Sequence, residues 1–378
     1  MSETTSMTGR GLRSEVTDDG EVVISVVPFE LGSPEPDEVI VRVEAAPVNP
    51  SDLGLLLAGA DPATATAGAG GELRLRLQPA PVAALRGRVG QALPVGNEGA
   101  GVVVAAGSSK AARSLEGRVV AAIPGGMYAT HRTVKADQCL VLPEGTDPRD
   151  AASCFVNPLT ALGMTETMRR EGHTALVHTA AASNLGQMLN RICLGDGVEL
   201  VNIVRRQEQA DLLRQQGAVH VVDTSSPSFA DDLVTALRAT GATIAFDAIG
   251  GGGLASRILA AMEAAATPVG GGYSRYGSST LKQVYIYGGL DRSPTVLDRT
   301  YGMAWSVGGW LLTNFLVAVG AEQAAALRQR VADELTTTFA SSYREVLTLN
   351  EMLDPDRLRR YATMATGEKV LVAPNPSR

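Results

Sequence analysis

The sequence has few of the residues that build disulfide frameworks, metal clusters or nucleic-acid surfaces. Its 378 residues include three cysteines and four histidines, and acidic side chains outnumber basic ones to give a net charge of −7. Cys139, Cys154 and Cys193 lie too far apart for a CxxC zinc lobe, and a sparse, odd number of cysteines is typical of a reducing cytosol. The histidines form no cluster and are interpreted as structural. Without a basic stripe, we expect no nucleic-acid partner and no metal site.

Charge is also missing from one long stretch of the chain. Residues 301–321 carry no charged side chain. This stretch is long enough to cross a bilayer. The glycines, serine, threonine and asparagine in the stretch favour a buried helix that lines a pocket or a subunit contact over a membrane span. The polar N-terminal residues 1–14 contain no apolar segment. We therefore expect no secretory signal, no membrane partner and a cytoplasmic location.

The apolar pattern predicts two domains of different architecture. In the first third, short runs such as EVIVRVEA (38–45) alternate polar and apolar residues, which predicts a β-rich, barrel-like domain. Residues 58–71 are mostly Ala, Gly and Thr and predict a flexible surface insertion, and residues 74–91 predict a short helix. The closing GEKVLVAP predicts a last strand that returns to this domain.

From residue 150 onward the pattern is that of an α/β fold. A helix is predicted over 150–168, after which strands and helices alternate at a spacing typical of a parallel sheet with crossover helices. The predicted strands cover 174–178, 198–204, 219–222, 243–248 and 284–287. The predicted helices between them cover 185–193, 207–216, 227–240 and 255–265.

The strand–turn–helix TALVHTAAASNLGQML (174–189) is a candidate dinucleotide site. A small-residue turn lets backbone N–H groups and a helix N-terminus face a pyrophosphate. Ser183 and Asn184 stand where glycines often stand, and only Gly186 remains. A plain strand–turn–helix without a ligand is the alternative.

The end of the next strand favours NADP over NAD. An NAD-specific fold places an acidic residue there for the ribose hydroxyls, whereas this chain has Arg205 and Arg206. Two guanidinium groups suit a 2′-phosphate, although a solvated arginine pair at a helix start is the alternative. In FDAIGG (246–251), the glycines predict close passage of the chain past the nicotinamide end.

Six motifs together resemble one family, the medium-chain dehydrogenase/reductase superfamily, in its zinc-free quinone oxidoreductase and enoyl thioester reductase branches. In chain order they are VNPSD (48–52), GNEGAG (96–101), VNPLTAL (156–162), HTAAASNLGQ (178–187), FDAIGG (246–251) and GEKVLV (367–372). The resemblance implies an α/β protein with a GroES-like catalytic domain interrupted by a Rossmann domain. The implied domains are 1–155 and 338–378 for the catalytic part and 156–337 for the NADP-binding part.

The resemblance also bears on zinc. Zinc-dependent relatives place Cys in the stretch that corresponds to 48–52 and a His–Glu pair in the stretch that corresponds to 96–101. Here those places hold Val48–Asn49 and Asn97–Glu98, and amide side chains are poor zinc ligands. Without a metal to polarise an alcohol, hydride addition to an enone, a quinone or an enoyl thioester remains.

Asn49 and Thr160 are the predicted catalytic residues. The Asn49 amide can donate to an oxygen that gains negative charge, and Thr160 is expected near the nicotinamide. The alternatives are a turn residue before Pro50 and helix N-terminal hydrogen bonding. The predicted cofactor-binding residues are Ser183, Asn184, Leu185, Gly186, Arg205, Arg206, Asp247, Gly250, Tyr273, Tyr287 and Gly288.

The proton donor remains open at this stage. Enoyl thioester reductases carry a tyrosine shortly after the VNPSD motif, but residues 53–93 of this chain contain none. Water, Tyr128, Tyr273 or Tyr287 are the candidates. Near the predicted strand 284–287, Arg275 and Lys282 are either phosphate ligands or ordinary surface charges.

The sequence therefore predicts a zinc-free, NADPH-dependent oxidoreductase that reduces a quinone or an activated C=C bond, acting as a homodimer on a small molecule. The first alternative is a trans-2-enoyl thioester reductase, for which Arg74, Arg76, Arg86 and Arg88 can supply a basic groove. The second is a non-catalytic NADPH-binding protein.

Overall fold

The computed structural model describes residues 7–77, 85–267, 274–367 and 369–375. The chain divides into two compact units: a first unit of Met1–Val156 with Arg328–Arg378, and a second unit of Asn157–Leu327. The predicted domain limits, 155/156 and 337/338, lie one and ten residues from these divisions. Each unit is described separately below.

The elements are numbered along the chain. The strands are β1 Met7–Val16, β2 Glu21–Leu31, β3 Glu38–Pro47, β4 Thr66–Ala67, β5 Leu73–Arg76, β6 Leu93–Pro94, β7 Gly99–Ala106, β8 Val119–Ala122, β9 His131–Lys135, β10 Leu140–Val141, β11 Ala175–His178, β12 Glu199–Val204, β13 His220–Asp223, β14 Ile244–Asp247, β15 Gly250–Gly252, β16 Lys282–Ile286, β17 Asp291–Thr295, β18 Trp305–Gly309, β19 Glu345–Leu347 and β20 Val370–Val372.

The α-helices are α1 Pro50–Leu57, α2 Lys110–Arg113, α3 Pro148–Ala151, α4 Val156–Arg170, α5 Asn184–Asp196, α6 Gln207–Gln215, α7 Phe229–Thr240, α8 Leu254–Ala266, α9 Leu312–Val319, α10 Ala321–Asp333 and α11 Pro355–Tyr361. Short 3₁₀ turns cover Pro62–Thr64, Arg86–Arg88, Ala136–Gln138 and Glu351–Leu353.

The first unit is built from two sheets. One has the order β4-β5-β2-β1-β6, and the other β10-β8-β7-β3-β20-β19 with β9 also paired to β3. The period-two pattern of β2 places Val22 and Ile24 opposite Leu75 and Leu73 of β5, and all four are buried in one core. The last strand, β20, returns to this unit as the sequence predicts, and it pairs antiparallel with β3.

The second unit contains a six-stranded sheet with the order β13-β12-β11-β14-β16-β18. All five strand pairs are parallel, and α5, α6 and α7 connect successive strands. Its core packs apolar residues of the strands, such as Val177, Val201 and Ala245, against α7 and α8. The predicted fold class, a GroES-like β-rich domain with a Rossmann-type parallel sheet, is confirmed.

Three local predictions are wrong. The helix predicted over 150–168 is split into α3 and α4, because a buried carboxylate of Glu98 accepts the backbone N–H groups of Phe155 and Val156 and a new helix begins there. The region 74–91 contains β5 and a 3₁₀ turn at Arg86–Arg88 instead of a helix, with 78–84 outside the described residues.

The uncharged stretch 301–321 is also not one helix. Its first part forms β18, which pairs with β16 at the edge of the sheet, and only its second part forms α9. Without β18, the strand β16 would leave backbone N–H and C=O groups on one side without partners in the sheet. A second strand can pair with these groups, whereas a helix cannot, because its backbone groups bond within the helix. In the part of the chain that the structure describes, no helix is both long and apolar enough to span a membrane.

Candidate functional site

The order of the parallel strands identifies the edge where a ligand can bind. Along the chain the strands run from β11 outward to β12 and β13, and then return to the other side of β11 with β14 and β16. In open α/β sheets such a reversal places the ligand-binding crevice at the carboxyl ends of the two strands that flank it, which here are β11 and β14. Most of the predicted cofactor residues follow these strand ends.

The turn after β11 is held between the two neighbouring strands. The Ala181 N–H donates to the Ile203 carbonyl of β12 at 3.1 Å, and the Thr179 N–H donates to the Phe246 carbonyl of β14 at 3.1 Å. Ala180 adopts a positive φ of 50°, which turns the chain sharply between them. The turn therefore delivers the first residues of α5 to the crevice.

Ser183 is the N-cap of α5, and its hydroxyl accepts the Gly186 N–H at 3.1 Å. Asn184 and Leu185 form the first turn of this helix, where the partial positive charge of the helix dipole favours an anion. The serine thus supplies a cap in the place where relatives often have glycine. The turn lacks glycine at positions 183 and 184, but it retains a capped helix N-terminus.

Gly186 is required by the turn itself. A Cβ at this position would lie 2.2 Å from the carbonyl oxygen of Ala181, whereas a Cβ at Gly195 in the same helix meets nothing within 4 Å. We expect Gly186→Ala to destabilise the protein by about 1–3 kcal/mol, because the backbone must shift. Gly195→Ala, the matched control, is expected to stabilise it by about 0.5–1 kcal/mol. Urea denaturation measures both, and equal stabilities of the two variants would contradict this account of the turn.

Arg205 and Arg206 follow β12 and are both exposed. Arg206 occupies the N-cap position of α6, and the Arg205 backbone N–H donates to the Gln209 side chain at 3.2 Å. Because the Ala181 N–H donates to the Ile203 carbonyl, the backbone two residues before Arg205 lies beside the turn after β11. The strand end carries no acidic residue that would repel a phosphate.

Asp247 ties the loops after β11 and β14 together. Its side chain is fully buried, and Oδ1 accepts the Thr179 hydroxyl at 2.7 Å and the Ile249 N–H at 2.9 Å. Oδ2 accepts the Gly250 N–H at 3.2 Å, and the Thr179 oxygen accepts the Ala248 N–H at 2.8 Å. Because both Asp247 oxygens accept hydrogen bonds from the protein, this side chain fixes the two loops relative to each other.

Two glycines let the loops after β14 and β16 pass each other. A Cβ at Gly250 would lie 2.7 Å from the Gly288 carbonyl oxygen, and a Cβ at Gly288 would lie 2.7 Å from that of Ala248. The sequence predicts close passage past the nicotinamide at the FDAIGG glycines, whereas the close approach that the structure shows is between two backbone segments. Tyr273, another predicted cofactor residue, lies outside the described residues.

A histidine that the sequence marks as structural lies at the same edge. His178, the last residue of β11, is fully buried, and its Nε2 is 2.7 Å from the Tyr287 hydroxyl that follows β16. The two rings stack with centroids 5.8 Å apart. Burial lowers the pKa of His178 to about 3, and burial raises the pKa of Tyr287 well above its usual value, so both side chains are neutral near pH 7.

Because the pKa of His178 is low in the folded protein, the free energy of unfolding depends on pH. The unfolded chain binds a proton near pH 6.5 and the folded chain only near pH 3, so this contribution is complete above 6.5 and is lost as the pH falls. Relative to His178→Gln, the wild type is expected to lose about 2 kcal/mol of unfolding free energy between pH 7 and pH 5. Urea titrations at both pH values test this, and a pH-independent difference would show that His178 titrates normally.

In the first unit, Asn49 and Asp52 form a capping box at the start of α1. The Asn49 N–H donates to Asp52 Oδ2 at 2.8 Å, and the Asn97 N–H donates to Asp52 Oδ1 at 2.7 Å. Burial raises the pKa of Asp52 to about 7, although these two N–H groups oppose the shift. Asp52 thus joins the VNPSD and GNEGAG motifs.

Glu98 is the centre of a buried polar network. Its Oε1 accepts the Asn49 amide N–H at 2.8 Å, and its Oε2 accepts the backbone N–H groups of Phe155 at 2.7 Å and Val156 at 3.0 Å. Burial raises the pKa of this carboxyl, and Lys369 opposes the shift. The Asn49 side chain, predicted to donate to a substrate, is 1% exposed and directs an N–H at Glu98.

Lys369 completes the network and was not selected from the sequence. Its Nζ donates to the Ser153 hydroxyl at 2.7 Å, and the Tyr343 hydroxyl donates to the same oxygen at 3.0 Å. Burial lowers the pKa of Lys369 to about 8, against the attraction of Glu98 and Asp52. The GEKVLV motif contains this lysine, but nothing in the motif predicts its partners.

Four charged or polar predictions change with the structure. Lys282 is not a phosphate ligand, because it is fully buried and paired with Glu263 at 2.6 Å. Tyr128 is not a proton donor, because it is fully buried and its hydroxyl donates to the Pro47 carbonyl at 2.9 Å. Arg74 pairs with Glu21 at 2.9 Å and with Glu72 at 3.0 Å.

Arg88 is likewise engaged, with its guanidinium 2.9 Å from the Ser14 hydroxyl. The basic groove predicted from four arginines therefore keeps only Arg76 and Arg86 as exposed members. Arg275 is exposed beside the Tyr276 ring, and Thr160 is 6% exposed in α4. Within the described ranges, no group of three His, Cys, Asp or Glu side chains can hold a metal ion.

The residues at the crevice fit a phosphorylated dinucleotide. The capped N-terminus of α5 suits a pyrophosphate. Gly186 allows the helix to pass close to the Ala181 carbonyl, which keeps the turn tight. The exposed arginines suit an additional phosphate. The same edge carries the neutral His178–Tyr287 pair.

Comparison with known proteins supports this assignment. Residues 35–144 match the model of the alcohol dehydrogenase GroES-like domain. The chain is 28% identical over 244 residues to a mycocerosic acid synthase-like polyketide synthase of Mycolicibacterium smegmatis, which covers 64% of this chain and 10% of that protein. It is 29% identical over 208 residues to the mitochondrial enoyl-[acyl-carrier-protein] reductase of Bos taurus, covering 53% of this chain and 48% of that protein. The chain thus spans at most about half the length of these relatives.

A solved structure extends the likeness to the whole chain. A candidate NADPH:quinone reductase from Mesorhizobium loti superposes with a TM-score of 0.71 and 25% sequence identity, covering 99% of this chain and 100% of that one. The order of both units along the chain is therefore shared with that protein.

Proposed function

We propose that this chain, which is similar to proteins of the medium-chain dehydrogenase/reductase superfamily, is a zinc-free, NADPH-dependent reductase of quinones or of the activated C=C bond of α,β-unsaturated carbonyl compounds. The observation that carries the proposal is the arrangement at the carboxyl ends of β11 and β14, next to the end of β12. There the Ser183-capped helix and the exposed Arg205–Arg206 pair adjoin, with no acidic residue at the strand end.

Each part of the crevice has a distinct task in this proposal. The N-terminus of α5 (Ser183, Asn184, Leu185 and Gly186) holds the pyrophosphate, and Arg205 and Arg206 hold the 2′-phosphate. NADPH, when bound, supplies the hydride. Asp247 acts without touching the cofactor: through Thr179 and the Ile249 and Gly250 N–H groups it fixes the loops on which the cofactor rests.

The network around Glu98 supports a reaction without zinc. Both Glu98 oxygens accept protein N–H groups, and the neighbouring position at Asn49 has an amide, which binds zinc poorly. We therefore assign Asn49 as a positioning residue for Glu98. Thr160 is kept as the residue expected near the nicotinamide.

Turnover with a substrate panel tests the proposed function. NADPH oxidation is followed at 340 nm with simple quinones, with enones and with crotonyl-CoA. We expect turnover with quinones or enones, because such acceptors need only hydride and a stabilised oxygen. Faster turnover with crotonyl-CoA alone would favour the thioester reductase, and NADPH binding without turnover of any acceptor would favour a non-catalytic protein. Prior dialysis of the protein against a chelator is expected to leave the rate of turnover unchanged. Loss of turnover after this dialysis would overturn the zinc-free assignment.

We also propose a cytoplasmic homodimer built from a catalytic domain (1–155, 338–378) and an NADP-binding domain (156–337). Three free thiols fit a reducing compartment. The edge strand β18 and exposed apolar residues nearby, such as Met303 and Leu311, provide a surface for a second copy. If light scattering measures the mass of a monomer, the homodimer proposal is wrong.

A further inference from the structure

The side chains of His178 and Tyr287 project from one face of the sheet. In register, His178 pairs with Phe246 of β14, and Phe246 pairs with Tyr285 of β16. Residues paired in this way share a face, and Tyr287 lies two residues beyond Tyr285, so period-two alternation brings it to the same face. The pair therefore lies where three neighbouring strands end.

This position corresponds to one half of the crevice. The phosphate-binding features lie on the side of β12 and α5, whereas Tyr287 follows β16 on the opposite side of the reversal point. A dinucleotide that crosses the reversal point places its two halves on these two sides. With the 2′-phosphate at Arg205 and Arg206, the reacting end lies on the side of Tyr287.

The hydrogen bond between the two side chains defines how the tyrosine is oriented. The Nδ1 of His178 is buried and has no hydrogen-bond partner in the described part of the chain. A proton on Nδ1 would bury an unpaired donor, while a proton on Nε2 is used in the 2.7 Å bond to the Tyr287 oxygen. With Nε2 as the donor, the Tyr287 oxygen accepts and its own O–H points to another acceptor.

We propose that the Tyr287 hydroxyl donates the hydrogen bond that stabilises the substrate oxygen during reduction, and that His178 is the positioning residue that directs it. This inference rests on the proposed function and names a catalytic residue for it. Both side chains stay neutral around pH 7, so the hydroxyl remains a donor over the working range.

The chemistry is a hydrogen bond and not a proton transfer from the tyrosine. With NADPH bound as the donor, a hydride would add to the β-carbon of an enone and the π electrons of the C=C bond would move to the carbonyl oxygen, leaving NADP⁺. The resulting enolate oxygen accepts the Tyr287 O–H, which keeps its proton. The α-carbon then takes a proton from water, which completes the reduction of the C=C bond.

Tyr287→Phe tests the inference, because it removes the hydroxyl and retains the ring that stacks on His178. Loss of one preorganised oxyanion donor lowers kcat on the order of 100-fold. We expect this fall in kcat for enones and quinones, with the Kd of NADPH within about twofold of the wild type. With 4-deuterated NADPH, the isotope effect on kcat is expected to rise, since hydride transfer becomes slower than product release.

Tyr285→Phe is the matched control. It lies two residues earlier, and its hydroxyl donates to Glu171 at 2.8 Å and also has a hydrogen bond with the Gln283 side chain. We expect its kcat to equal that of the wild type. His178→Gln, which retains an N–H donor on a planar amide, is expected to keep more activity than Tyr287→Phe.

The outcomes separate this inference from the proposed function. Wild-type kcat in Tyr287→Phe overturns the role of the hydroxyl, as does an equal fall in Tyr285→Phe. A fall in affinity for NADPH with unchanged kcat would instead assign Tyr287 to cofactor binding. A wild-type protein that binds no NADPH would overturn the proposed function and this inference with it.

Discussion

Replacement of Arg205 and Arg206 together by alanine is expected to weaken NADPH binding about 100-fold, because each lost charge-assisted hydrogen bond to the 2′-phosphate contributes roughly 1.5–3 kcal/mol in favourable sites and less when exposed. NADH lacks this phosphate, so its Kd is expected to change by less than about threefold. Both arginines are exposed, so their removal is expected to leave the fold intact. Fluorescence titration with each cofactor measures the effect.

Arg214→Ala is the control for this variant. Arg214 is an exposed arginine near the end of α6 whose guanidinium pairs with Asp211 at 3.5 Å. Its removal changes the net charge without altering the strand end, and NADPH binding is expected to stay within about twofold of the wild type. An equal loss of NADPH affinity in Arg214→Ala would reduce the arginine effect to general electrostatics. Equal losses for NADPH and NADH in the double variant would exclude a 2′-phosphate site.

Glu98→Ala is expected to cost about 3–5 kcal/mol of unfolding free energy. The carboxylate is fully buried and accepts three N–H groups, from Asn49, Phe155 and Val156, while it also balances the charge of Lys369. The alanine variant leaves these donors without an acceptor and a partly buried ammonium with less compensation. The first turn of α4 is expected to lose order because its N-terminal N–H groups lose their acceptor.

Chemical denaturation compares this variant with Glu116→Ala, which removes an exposed carboxylate. The control is expected to change stability by less than about 0.5 kcal/mol. Glu98→Gln retains one acceptor oxygen and is expected to fall between the two. If Glu98→Ala were as stable as Glu116→Ala, the network would contribute nothing to the first unit.

The sequence predicts the second unit better than the first. Alternation of apolar strands with capped helices is local information, and β11–α5–β12 follows from it with shifts of one to three residues at the ends. The strand β18 is missed because its segment, WSVGG, is short, uncharged and without clear alternation of polar and apolar residues, so periodicity does not distinguish helix from strand. The free edge of β16, a tertiary feature, decides the outcome.

The same limit applies to the candidate site. Residues that follow a strand end, such as Arg205 and Asp247, are found because the strand pattern places them there. His178 and Lys369 are missed, because their partners Tyr287 and Ser153 are 109 and 216 positions away in the chain. Lys282 is misassigned for the complementary reason: a lysine among polar residues suggests a surface charge, but here it is buried against Glu263.

A titration of the wild-type protein with NADPH and with NADH tests the central claim most directly. The account predicts saturable binding of NADPH, at least about tenfold tighter than that of NADH, because two exposed arginines directly follow β12. Added salt is expected to weaken NADPH binding more than NADH binding, as the extra phosphate is held by exposed charges. Tighter binding of NADH, or binding of neither cofactor, would contradict the account.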